Sequence, residues 1–94
     1  MAIFEIKNDS LRDFEQSFLV AQKYLASANG YIEHTMQQSI ENPNRYVLLA
    51  KWDSVEHHMD GFRNSDDFLK WRELLGPFFE KAPIVEHFTA LNLK

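Results

Sequence analysis

Residues Tyr31–Trp52 read YIEHTMQQSIENPNRYVLLAKW. Asn42-Pro43-Asn44 marks a turn, because proline presets φ and asparagine tolerates a positive one. Arg45–Trp52 after it reads as a partly or wholly buried strand, and the polar but β-prone Tyr31–Glu41 before it reads as its hairpin partner. Side chains alternate along a strand, so Ile32, His34, Met36, Gln38 and Ile40 share one face. Tyr31, Glu33, Thr35, Gln37 and Ser39 share the other. In the second strand Tyr46, Leu48, Ala50 and Trp52 lie on one side, Val47 and Leu49 on the other. Apolar residues of both parities need cover on both faces of the sheet. A single helical layer covers one.

The flanks supply that layer. Before the hairpin, Ala2–Lys7 alternates Phe4 and Ile6 with Glu5 and Lys7, which predicts a short strand. Asn8, Asp9 and Ser10 are helix-capping residues, and Leu11, Phe14, Phe18, Ala21 and Leu25 then recur at spacings of three and four as one apolar stripe. The helix should stop near Asn29-Gly30. After the hairpin, Asp53-Ser54 opens a second helical region through Val55, Met59 and Phe62. Asn64-Ser65-Asp66-Asp67 breaks and recaps it, and Phe68, Leu69, Trp71, Arg72 and Leu75 continue to Gly76-Pro77. Pro83–Leu93 alternates again and predicts a last strand.

The order strand, helix, hairpin, broken helix, strand predicts an α+β, ferredoxin-like βαββαβ domain over residues 1–94, with both helical segments on one face of an antiparallel sheet. The sheet of a second copy would cover the opposite face, giving a homodimer in the form of a dimeric α/β barrel.

Composition narrows the function classes. The 94 residues are 45% hydrophobic and 26% charged, with eight Phe, three Tyr and two Trp. That balance is globular, and the aromatic load suits a core, a pocket wall or a subunit interface. The formal charge is −4 with scattered basic residues, so the footprint of nucleic-acid binding is absent. No apolar run approaches the ~20 residues that span a bilayer. The N-terminus lacks a signal-peptide apolar segment, which makes the cytoplasm the expected location. The lack of cysteine excludes disulfides, thiolate metal sites and thiol nucleophiles.

The run Trp52-Asp-Ser-Val-Glu-His-His58-Met-Asp-Gly61-Phe62-Arg63-Asn-Ser65, followed by Trp71-Arg72, Gly76-Pro77-Phe78-Phe79 and Val85-Glu86-His87-Phe88, resembles the antibiotic biosynthesis monooxygenase (ABM) family. The likeness in element order covers nearly the whole chain. It implies a homodimer of ferredoxin-like subunits, each with a pocket between sheet and helices. Some members resemble cofactor-free monooxygenases that convert phenols of polycyclic aromatics to quinones. The substrate anion itself reduces oxygen there, so the protein supplies a dry cavity, an orienting group and a proton acceptor. Others degrade heme, or act on small signalling sugars.

Residue by residue, the resemblance places the strand-closing tryptophan of the quinone-forming members at Trp52 and their pocket tyrosine at His58. Their asparagine falls at Leu48, which removes one polar contact. The tryptophan of the heme-degrading members falls at Phe62 and their histidine near Arg72, which argues against heme degradation. His58 is therefore the candidate general base, its imidazole titrating near neutral pH. A solvent-facing helix histidine is the plainer reading, and the one favoured for His57.

Trp52, Phe62, Trp71 and Arg72 are the candidate substrate-binding residues. Trp52 is a pocket wall or core; Phe62 and Trp71 pack between helix and sheet or form an apolar wall. Arg63 and Arg72 either bind an acidic group or make salt bridges to Glu56, Asp66 or Asp67. His34 and His87 are satisfied strand histidines or barrel-lining ones. His57 and His58 point about 100° apart on a helix, which disfavours a shared metal, and no cofactor is expected. Two alternatives to an oxygenase stay open. One is a barrel that binds or isomerises a small metabolite without oxygen; the other is a structural interaction domain with no cavity.

Overall fold

The structure, a computed structural model, describes residues 1–54, 56, 61–89 and 91–93. Its elements run β1 (Ala2–Glu5), α1 (Leu11–Ala26), β2 (Tyr31–Gln38), β3 (Arg45–Trp52), α2 (Asp66–Leu75) and β4 (Ile84–Val85). The sheet order is β2-β3-β1-β4 and every neighbouring pair is antiparallel. This α+β arrangement is the ferredoxin-like one the sequence predicts.

The hairpin carries the sheet. β3 has the predicted boundaries, and its alternation appears in the burial: Tyr46 and Leu48 are buried under the helices, whereas Leu49 is exposed. β2 ends at Gln38, three residues before the expected Glu41. Ser39 N–H still bonds Arg45 O, but the Ser39 hydroxyl accepts from Asn42 N–H and turns the chain. The pairing also slips once. Tyr31 lies opposite Trp52 and Glu33 opposite Lys51, so Ile32 is an extra, bulged residue. The bulge shifts Tyr31 onto the face of His34, where strict alternation places it on the opposite one.

α1 buries the predicted stripe of Phe14, Phe18, Ala21 and Leu25. Ser10 occupies the N-cap, yet its hydroxyl bonds Asp9 and caps nothing; its carbonyl accepts Phe14 N–H. The helix ends at Ala26, before the expected Asn29-Gly30, because the Ser27 hydroxyl donates to Lys23 O and closes the last turn. Gly30 then reverses the chain at φ 82°, a torsion that suits glycine.

Ser65 caps α2 as predicted, its Oγ accepting Phe68 N–H at 3.2 Å. Val55 and Met59 of the preceding region lie outside the described residues. Phe62 at its end is buried at 3% exposure. The core joins Phe4, Ile6, Tyr46 and Leu48 of the sheet side to Phe14, Phe18, Ala21 and Leu25 of α1 and to Phe62, Trp71 and Leu75.

Both terminal strands are shorter than the alternation suggests. β1 stops at Glu5, where Ile6 bridges Phe79 and its N–H goes to Asn44 O. β4 keeps two residues of the expected Pro83–Leu93. It is an edge strand beside a four-residue neighbour, and the ladder continues only through Met1 and Glu86, whose backbone groups bond at 2.8 and 2.9 Å. Beyond Glu86 no further residue is paired in the sheet among the described residues. Phe88, Leu91 and Leu93 are exposed at 70, 73 and 82%.

Candidate functional site

The space between sheet and helices is open, forming a cavity of about 1040 Å³. Three of the four candidate binding residues come from different elements and meet as one wall. Trp52 closes β3, Phe62 precedes α2, and Trp71 sits in the middle of α2. The Trp52 and Phe62 ring centroids are 5.9 Å apart, those of Phe62 and Trp71 5.7 Å, and Phe68 meets Phe62 edge to face at 5.5 Å. Phe62 and Trp71 are buried in the core and also line the cavity, so the two roles separated in the sequence coincide. Trp52 is half-buried and lines it too.

Arg72, the fourth candidate, also lines the cavity, as does Arg63. The salt bridges expected from these arginines to Glu56, Asp66 or Asp67 are not formed among the described residues, where the ion pairs are Arg45–Glu5 and Lys51–Glu33. The reason is geometric for Arg63. Its guanidinium lies over the Phe68 ring, 5.7 Å from the centroid, and this cation–π contact takes the place of a carboxylate. Leu48 is buried and lines the cavity where the quinone-forming relatives carry asparagine. His87 reaches the same cavity from the segment after β4. His58 and His57 lie outside the described residues. Among the described residues no group of three His, Asp or Glu side chains is placed to hold a metal.

Two polar chains on the sheet escaped sequence reading. Gln22 of α1 places Oε1 3.1 Å from His34 Nε2, while its amide nitrogen donates to Leu19 O. This orientation assigns the imidazole proton to Nε2 and leaves Nδ1 to accept the Tyr31 hydroxyl at 2.5 Å. Burial depresses the His34 pKa below its ordinary value, in keeping with a neutral ring that uses both nitrogens. His34 is thus a satisfied histidine. The second chain runs from Gln38 to the Tyr46 hydroxyl and on to the Glu15 carboxylate, which accepts from it. Burial, and then the neighbouring carboxylate, raise the Tyr46 pKa, so the phenol stays protonated and ties α1 to β3. No local sequence signal marks either chain: except for Tyr31 and His34, the bonded partners are 8 to 31 residues apart.

Known proteins share this architecture. Residues 1–74 match the sequence profile described as antibiotic biosynthesis monooxygenase. The chain belongs to the ABM family. It is 36% identical over 87 residues to the uncharacterized protein YczJ of Bacillus subtilis (strain 168), covering 93% of this chain and 92% of that protein. An ABM-type crystal structure from Bordetella bronchiseptica superimposes with a TM-score of 0.93 at 34% identity, over 97% of this chain and 93% of the other. SnoaB, a cofactor-independent oxygenase from Streptomyces nogalater solved as a mutant, superimposes with a TM-score of 0.72. Its identity is 20%, over 94% of this chain and 90% of SnoaB, a likeness of fold. No helix among the described residues of this ABM protein is long and apolar enough to cross a membrane.

Proposed function

We propose that this ABM protein is a cofactor-independent monooxygenase of an aromatic or conjugated small molecule, working as a homodimer in the cytoplasm. The observation that carries the reading is the cavity between sheet and helices, walled by Trp52, Phe62, Phe68 and Trp71. An aromatic-lined space of this size suits a planar polycyclic ligand. Family membership supports the same chemistry. The open cavity also speaks against a purely structural interaction domain.

In this reading His58 takes the phenolic proton. The substrate anion then gives its electrons to dioxygen and forms a carbon–oxygen bond. One oxygen atom stays as the quinone carbonyl. The other leaves as water, carrying the two hydrogens lost from the substrate, so a phenol and O₂ become a quinone and H₂O with no external reductant. The aromatic wall holds the ring, and Arg72 binds the substrate at the edge of that wall.

The test is oxygen consumption with a panel of polycyclic phenols, comparing wild type with His58→Ala. Turnover by the wild type and a loss of about 100-fold or more in the variant are expected. An inactive wild type, or a variant as active as wild type, defeats the proposal. One observation favours a second reading, a barrel that binds or isomerises a small metabolite without oxygen. Buried Leu48 offers no hydrogen bond where the quinone-forming relatives place an amide. Ligand binding without oxygen uptake would select that reading.

A further inference from the structure

The charge distribution around the cavity is opposite to that of the whole chain. The protein carries a formal charge of −4, yet Lys51, Arg63 and Arg72 line the cavity, with Asp53 the carboxylate among the described lining residues. Lys51 is engaged with Glu33 at 3.1 Å. Arg63 and Arg72 have no carboxylate within ion-pair distance among the described residues, although Asp66, Asp67 and Glu73 are close in sequence. Each arginine directly follows a buried aromatic of the wall, Phe62 or Trp71, so the backbone that anchors the ring also anchors the cation. Phe68 holds the Arg63 guanidinium without neutralising it, 5.7 Å from its centroid. Both arginines are exposed, so they stand at the solvent-facing rim of a cavity whose wall is aromatic.

We infer that the ligand of this cavity is an aromatic acid: its ring lies against the Phe62–Trp71 wall, and its carboxylate is met by Arg63 and Arg72. This rests on the proposal that the cavity is the ligand site, and it adds the substrate class and a role for Arg63. Guanidinium is suited to the task because its planar fork matches a carboxylate and its charge persists at every relevant pH. Both arginines are specificity-determining residues; neither is assigned a proton or an electron to transfer.

The experiment is calorimetric titration of the full chain with 2-naphthoate and with 2-naphthamide, near-identical in shape and differing in charge. Wild type should bind the acid more tightly, and Arg63→Gln and Arg72→Gln should each reduce that preference by about fivefold. Added salt should weaken the acid and spare the amide. Amide binding by each variant reports that the cavity is intact. Equal affinity of wild type for the two ligands, or no binding of either, overturns the inference. So does a preference that survives both substitutions, or a variant that loses acid and amide alike, since the arginine then acts by packing. Oxygen uptake plays no part in the readout, so a failure of the oxygenase proposal and a failure of this one are separate results.

Discussion

His34 illustrates how a single side chain ties secondary-structure elements together. Its ring accepts from Tyr31 and donates to Gln22, and its edge meets the Phe18 ring at a centroid distance of 5.9 Å. Replacing it with leucine leaves the Tyr31 hydroxyl and the Gln22 amide without their partner, which should cost about 1–3 kcal/mol at pH 7.5. The cost should shrink in acid. Because the folded-state pKa is lowered, the unfolded chain binds the proton first, so wild type loses this stability as pH falls below about 6.5 and through the lowered value. The leucine variant has no such group. Urea unfolding of both proteins at pH 7.5 and pH 5 measures the gap; a gap that widens in acid contradicts the assignment.

At the scale of the element, α2 depends on its start. Nothing but Ser65 separates it from the preceding turn, and the Ser65 side chain makes two contacts: its hydroxyl donates to Phe62 O at 2.6 Å and accepts Phe68 N–H at 3.2 Å. The cap therefore holds Phe62 and Phe68 of the cavity wall in one unit with the helix. Ser65→Ala should destabilise the protein by about 1 kcal/mol. It should also weaken binding of an aromatic ligand, because the edge-to-face pair at 5.5 Å loses its shared anchor. Thermal unfolding and the naphthamide titration check the two effects. Lost stability with unchanged affinity would place the cap outside the site. The edge elements behave differently: β4 is held by two residues and by Met1, and it has little of its own to bury.

For the whole molecule, the sheet has one face under the helices and one that no helix among the described residues covers. Leu49 and Ile84 stand on the uncovered side at 41 and 51% exposure, with the partly buried Ile3 and Val47 between them. An isolated subunit would leave this apolar strip in water, and the proposed homodimer removes it. Leu49→Glu puts a charge on the strip while leaving the helix-facing residues of β3 in place. Sedimentation equilibrium should give a dimer for wild type and a monomer for the variant at micromolar concentration. A monomeric wild type would remove the dimer from the proposed function.

Periodicity by itself determined the element order, the extent of β3, the buried stripe of α1 and the start of α2, because each follows from local side-chain spacing and backbone preference. The family resemblance, carried by the segment from Trp52 to Phe88, placed Trp52 and Arg72 at a pocket. What only the tertiary structure decided depends on residues distant in the chain. The bulge at Ile32 is a property of two strands in register, and it alone brings Tyr31 to His34. The sequence leaves Arg63 and Arg72 open between an acidic ligand and salt bridges to neighbouring carboxylates; packing sets one over Phe68 and both at an aromatic cavity. The double role of Phe62 and Trp71, core on one side and wall on the other, is likewise invisible to spacing, because an apolar residue reads the same whether its far side meets another side chain or an open space.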